Sequence, residues 1–198
     1  MKKILIILLA LAAITSLHAQ KNHRITKEEM DLYRLNLKSM GAMSGFSRHD
    51  GSLAENVVLK TDFRIDPVEI KNRIFMNEKT NYITFVLGYD GKEIKIYAVG
   101  LDEEENFIKE SIVGGLYEEM MTDSERFVDT FPEFKDQRYL TFINMPQIAE
   151  VLFYNEAGIS LGYDRERKGL NLSFYNIENG KTGLIINELS SWCPPNCD

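Results

Sequence analysis

Cys193 and Cys197, the only two cysteines, stand near the end of the chain and are separated by Pro194, Pro195 and Asn196. That spacing permits a local disulfide, pairing with another chain, or a redox or metal role. Thioredoxin-type chemistry needs two intervening residues and a helix N-terminus that lowers the first thiol's pKa. Here three residues intervene, two of them proline, and one residue follows. A disulfide between Cys193 and Cys197 is the expectation. Its ring is too short to remove much chain entropy, so it stiffens the tail more than it stabilises the fold.

The other chemistry-bearing types are sparse. His18, His23 and His49 are the only histidines, and none has the spacing of a zinc finger with the cysteines. Ser44, Ser47, His49 and Asp50 gather the side chains of a serine hydrolase within seven residues. However, Gly41-Ala42-Met43-Ser44-Gly45 is one residue too long for a nucleophile elbow. Near neighbours in sequence also cannot form a relay, so the segment reads as a polar loop. Asp102 and Glu103–Glu105 lack the ligand spacing of a calcium loop and read as a solvated turn. Arg165, Arg167 and Lys168 form one basic cluster at an expected hairpin tip. Gly114-Gly115 alone, without the rest of a phosphate-binding glycine motif and its lysine, is no phosphate cradle. No residue is assigned a catalytic, cofactor or metal role.

The chain has 198 residues, with 44% hydrophobic and 27% charged, which is ordinary globular composition and excludes disordered and polytopic membrane classes. Lys2 and Lys3 precede an apolar run at 4–14, which spans about half of a ~30 Å hydrocarbon core. Leu17-His18-Ala19 then offers cleavage between Ala19 and Gln20. Export to the periplasm or beyond follows as an expectation. Removing 1–19 takes two of 23 basic residues and none of the 30 acidic ones, giving a mature net charge of −9. So acidic a body, with no concentrated basic patch, argues against nucleic acid as a partner.

The elements that must position any site follow from pattern. Thr26-Lys27-Glu28-Glu29 fits a capping box, and Met30, Tyr33, Leu37 and Met40 recur at helical spacing, predicting a helix over 27–40. A loop at 41–52 and a strand at 56–65 follow. Asp66-Pro67-Val68-Glu69 predicts a helix start, with Asp capping and Glu returning to the cap. Alternation over 82–89, Asp90-Gly91, and a second run over 93–101 predict a hairpin. A strand at 107–113 comes next, then a helix over 116–131 with a break at Thr122-Asp123, limited by Pro132. A strand at 138–143, a helix at 146–154 and strands at 158–163, 169–177 and 182–189 complete the body.

Two stretches echo each other, 56–113 and 137–189. Phe63 and Phe142 each stand four residues before a proline that opens a helix, Pro67 and Pro146. Leu87-Gly88-Tyr89-Asp90 recurs as Leu161-Gly162-Tyr163-Asp164, and Glu28-Glu29-Met30 as Glu118-Glu119-Met120. The expected fold is α+β: two repeated helix-plus-hairpin units packed as one domain over 20–198, mainly antiparallel, with a Cys-Pro tail at 190–198. The Asp-Gly hairpin closing in Val99-Gly100-Leu101-Asp102, together with Cys193-Pro194-Pro195-Asn196-Cys197, resembles uncharacterised exported proteins of Gram-negative bacteria. The resemblance implies export and no particular activity, cofactor or site residue.

The functional expectation is an exported, non-enzymatic binding or interaction protein. It has no cofactor and, once the signal is removed, no membrane span. Its partner would be a protein or small molecule met by tyrosine-rich strands (Tyr82, Tyr89, Tyr97, Tyr163, Tyr175). The alternatives are an envelope hydrolase using carboxylates or Ser44/Ser47 with His49, and a thiol role for the tail.

Overall fold

The computed structural model describes residues 24–44, 60–143 and 154–188. Helix α1 spans Lys27–Ser44 and opens on the expected capping box. Glu29 N–H donates to Thr26 Oγ1 at 3.1 Å, while Thr26 N–H donates to Glu29 Oε2 at 2.7 Å. The helix runs four residues past its predicted end. Gly41 costs a helix only about 1 kcal/mol, too little to stop one whose buried face continues to Met40.

Of the strand predicted at 56–65, residues 62–65 form β1, Asp62–Ile65, while Lys60 and Thr61 precede it outside the strand. Asp66 Oδ1 then accepts from Val68 N–H at 2.8 Å and Glu69 N–H at 3.3 Å, capping α2, Pro67–Ile70. Glu69 does not return to the cap. It pairs with Arg73 Nε at 3.2 Å one turn on, a favourable Glu-to-Arg spacing on a helix. The chain continues from α2 as a π turn, Lys71–Phe75, closed by Met76 N–H on Lys71 O at 2.9 Å.

Strands β2, Tyr82–Tyr89, and β3, Ile94–Leu101, pair in register from Tyr82 opposite Leu101 to Tyr89 opposite Ile94. At the turn Gly91 takes φ +97°, a conformation that strains any residue with a Cβ. Strand β4, Phe107–Val113, joins β3. Helix α3, Tyr117–Thr130, passes through Thr122-Asp123 without the predicted break. Thr122 Oγ1 donates back to Glu118 O at 2.8 Å, and Asp123 is buried against the sheet rather than capping a new helix. A 3-10 turn at Pro132–Gln137 leads into β5, Tyr139–Ile143. The helix predicted at 146–154 falls almost wholly outside the described residues. Strands β6, Ala157–Asp164, β7, Gly169–Glu178, and β8, Lys181–Glu188, follow as predicted to within one or two residues.

The strands form two antiparallel sheets, β4-β3-β2-β5 and β1-β6-β7-β8. Each is a three-strand meander completed by a strand from the other half of the chain. β1 pairs with β6 and β5 with β2, so each leading strand leaves its sequence neighbours for the distant hairpin. The helices follow the same exchange, α1 lying on β6 and α3 on β2. The fold class is therefore α+β, with one core joining both sheets.

That core follows from alternation. Ile83, Phe85, Leu87 and Tyr89 of β2 point to one face and meet Ile159, Leu161, Leu172 and Phe174 of the other sheet. Phe85 and Phe174 rings lie 6.3 Å apart across the interface. Burying one such ring stabilises the fold by roughly 1.5–3 kcal/mol. Val86 points the opposite way and packs with Tyr97, Val99, Ile112 and Met120 beneath α3.

Candidate functional site

Beside α2 the two sheets part and leave a crevice of about 270 Å³. Phe85 and Ile159, both fully buried, form its inner wall, one from each sheet. Ala98, Val113 and the half-buried Ile65 and Ile96 extend the apolar lining. Arg64, Asp66 and Glu69 bring charge to the rim. Their places are set locally: Arg64 projects from β1, Asp66 is the α2 cap, and Glu69 lies in the first turn of α2. Arg64 is drawn toward Glu156 at 3.3 Å and Glu69 toward Arg73 at 3.2 Å. Asp66 forms no ion pair among the described residues, and its Oδ1 is occupied by the two cap N–H groups. Such a cleft can hold a small apolar body and present a carboxylate to its polar end.

Two polar clusters lie elsewhere, each under a helix. Beneath α3, the fully buried Tyr97 donates to Asp123 Oδ2 at 2.6 Å. Burial, reinforced by the Asp123 hydrogen bond, pushes the Tyr97 hydroxyl well above its ordinary pKa. Lys95 Nζ lies 3.1 Å from Glu119, 3.5 Å from Asp90 and 3.9 Å from Asp123. The Glu119 hydrogen bond holds the Lys95 ammonium above its usual range, and the same bond holds Glu119 below its own. The Glu93 N–H is the main cause that keeps Asp90 low. These groups satisfy one another and fasten α3 to the β2–β3 hairpin.

Beneath α1, Arg34 Nε donates to Ser160 Oγ at 2.7 Å and Nη1 to Asp31 at 2.7 Å, while Nη2 meets Asp62. Tyr175 Oη donates to the same Asp62 oxygen at 3.0 Å, and its ring lies under the Arg34 guanidinium. Burial and the Asp62 charge push Tyr175 up to about 12. This cluster ties α1 to β1, β6 and β7.

The residues singled out from sequence meet varied fates. Cys193, Cys197, Ala19, Gln20, Ser47, His49 and Asp50 lie outside the described residues. Ser44 is the last residue of α1. The acidic turn is a backbone device: Asp102 Oδ1 accepts from Glu104 N–H at 2.9 Å and Asn106 N–H at 2.8 Å. Arg165 reaches Ser39 Oγ at 3.0 Å, and Arg167 lies 3.6 Å from Asp164. The tyrosine-rich surface is corrected: Tyr89, Tyr97 and Tyr175 are buried, Tyr163 is half-buried, and Tyr82 alone of the five is exposed. Half-buried strands take tyrosine readily because the ring packs while the hydroxyl finds a partner. Among the described residues no three His, Cys, Asp or Glu side chains converge as a metal would need, and no helix is long and apolar enough to cross a membrane.

Sequence reasoning missed the crevice. Its lining comes from β1, α2, β2, β3, β4 and β6, which alternation marks as core, and only the pairing of β1 with a distant hairpin brings them together. Compared with known proteins, the chain matches no family model, no curated protein and no solved structure.

Proposed function

We propose that the protein is an exported binding protein that holds a small, partly apolar ligand in the crevice between its sheets. The observation that carries this reading is the crevice itself, a cleft with an apolar inner wall and a rim of charged groups, the kind of mixed lining that ligand sites use. The adjoining π turn adds support, since single π turns occur frequently at functional sites. Ala98 is buried and lines the cleft, so Ala98→Met should fill it with little disturbance at the rim. Phenethyl alcohol titrated into isotope-labelled mature protein should shift the resonances of Phe85, Ile96 and Ile159, and Ala98→Met should abolish those shifts. Crevice resonances that move with neither this probe nor its cationic and anionic analogues would overturn the reading. Export rests on the N-terminal pattern, and N-terminal sequencing of protein from its native host should find Gln20 first. An intact Met1 in a membrane fraction would contradict it.

We also infer that the two halves repeat one unit, which among the described residues is a helix, a strand and then a three-strand meander. The two Leu-Gly-Tyr-Asp segments both run into hairpin turns, where Asp90 and Asp164 each accept from the N–H groups two and three residues on. Tyr33, three residues after Met30, covers Gly162, and Asp123, three after Met120, covers Gly88. Leu37 and Phe127, each seven residues after those methionines, line one small internal void of about 10 Å³.

A further inference from the structure

We infer that the ligand of this crevice is a small apolar primary amine, bound as the ammonium, with Asp66 as its counter-charge. The inference rests on the crevice being a binding site. It follows from an accounting of the rim. Of the three charged side chains there, Arg64 and Glu69 already have opposite charges at 3.3 Å and 3.2 Å. Asp66 has none among the described residues. Its Oδ1 is used by the α2 cap, which leaves Oδ2 to accept from a ligand. An anionic ligand would face two rim carboxylates, Asp66 and Glu69, and could win Arg64 only by taking it from Glu156. A neutral ligand fits the walls but gains nothing from the carboxylate's charge. A cation with an apolar tail answers both ends of the cleft.

Size narrows the class. A crevice of about 270 Å³ suits a small molecule and not a chain or a folded partner. The inner wall of Phe85, Ala98, Val113 and Ile159 presents no side-chain donor or acceptor to it. An aryl-alkyl or branched alkyl amine meets these limits, whereas a polyamine would set its further charges against the apolar inner wall. The acidity of the chain, with 30 acidic against 23 basic residues, raises the local concentration of any cation.

The experiment compares three probes of nearly equal size on the full mature chain: phenethylammonium, phenethyl alcohol and hydrocinnamate, titrated separately and followed by the crevice resonances. The ammonium should bind about three- to fivefold more tightly than the alcohol, a modest ratio because Asp66 is exposed. Asp66→Asn keeps a good helix cap, so the fold should hold, and it should bring the ammonium down to the affinity of the alcohol. Salt should weaken the ammonium and spare the alcohol. If the alcohol binds as tightly as the ammonium, or hydrocinnamate binds most tightly, the amine assignment fails while the crevice stands as a site. If no probe moves the crevice resonances, the crevice reading fails and takes this one with it.

Discussion

Helix α3 on β2–β4 and helix α1 on β6–β8 are two solutions to one packing problem. Both helices cross a strand over a glycine, Gly88 beneath Asp123 and Gly162 beneath Tyr33. The face under α3 is apolar, built from Val86, Tyr97, Val99 and Ile112 against Met120 of the helix, around one buried Tyr97–Asp123 bond. The face under α1 is polar, with Ser160, Asn171 and Ser173 all buried and Arg34 bonded to Ser160 and Asp62. The residue after the crossing position makes the contrast concrete. On α1 it is Arg34, which serves three partners, and on α3 it is Ser124, whose buried hydroxyl has none among the described residues. One backbone arrangement thus accepts either non-directional burial or directional bonds, provided that the crossing residue lacks a Cβ.

The most severe way to break the comparison is to place a methyl group at the crossings. A Cβ at Gly162 would stand 2.5 Å from Tyr33 Cβ and 2.8 Å from the Tyr33 carbonyl carbon. At Gly88 it would stand 2.8 Å from Asp123 Cβ and 2.9 Å from the Tyr97 ring, with helix backbone no nearer than 3.4 Å. Backbone cannot rotate away, so Gly162→Ala should lose about 3 kcal/mol and Gly88→Ala about 2 kcal/mol. Urea unfolding of both variants checks the order. Equal or reversed losses would mean that the two helices do not sit as described.

Polar deletions come next. Tyr97→Phe strips the buried Asp123 carboxylate of its 2.6 Å donor and should cost about 2 kcal/mol, because the acceptor stays buried. Arg34→Met keeps much of the apolar stem and should cost about 1 kcal/mol, since Asp62 and Asp31 are half exposed and water replaces the guanidinium. The smaller loss is thus expected on the face with more hydrogen bonds. Thermal melts of the two single variants decide it.

How far the sequence revealed this molecule depends on the range of the interaction. Thr26-Glu29, Asp66-Pro67 and Asp90-Gly91 act within a few residues, and each places its cap or turn as read. Thr122-Asp123 misled because the same Asp that caps helices can serve as a buried acceptor once Tyr97 arrives from another strand. The π turn after α2 left no signal, since Lys71–Phe75 has ordinary helical residues. The crevice was hidden for a further reason. Its walls read as plain core, and the exchange that sets Ile65 and Ile159 beside Phe85 is a choice between equally apolar hairpins.

The smallest effect concerns pH at the edge of the α3 face, and it isolates the Lys95 pairs. Asp90 and Glu119 are held below their ordinary values, the first chiefly by the Glu93 N–H and the second by Lys95. A carboxylate whose folded pKa is depressed binds its proton more weakly when folded. Its contribution is therefore complete above the unfolded value, 3.8 for Asp90 and 4.5 for Glu119, and fades as pH falls through the lower folded one. Asp102 titrates over the same acid range, because the Asn106 N–H lowers it too, so the acid limb of the wild type alone does not report on α3. Lys95→Met separates them: it removes the ammonium from Asp90 and Glu119 and leaves Asp102 untouched. Near neutral pH the variant should melt a few degrees below wild type. The gap should narrow steadily below about pH 4.5 and close once the carboxylates are protonated in both proteins. High salt should shrink the neutral-pH gap as well, because the pair is partly exposed. A gap that stays constant with pH would show that Lys95 acts through its packed stem and not through its charge.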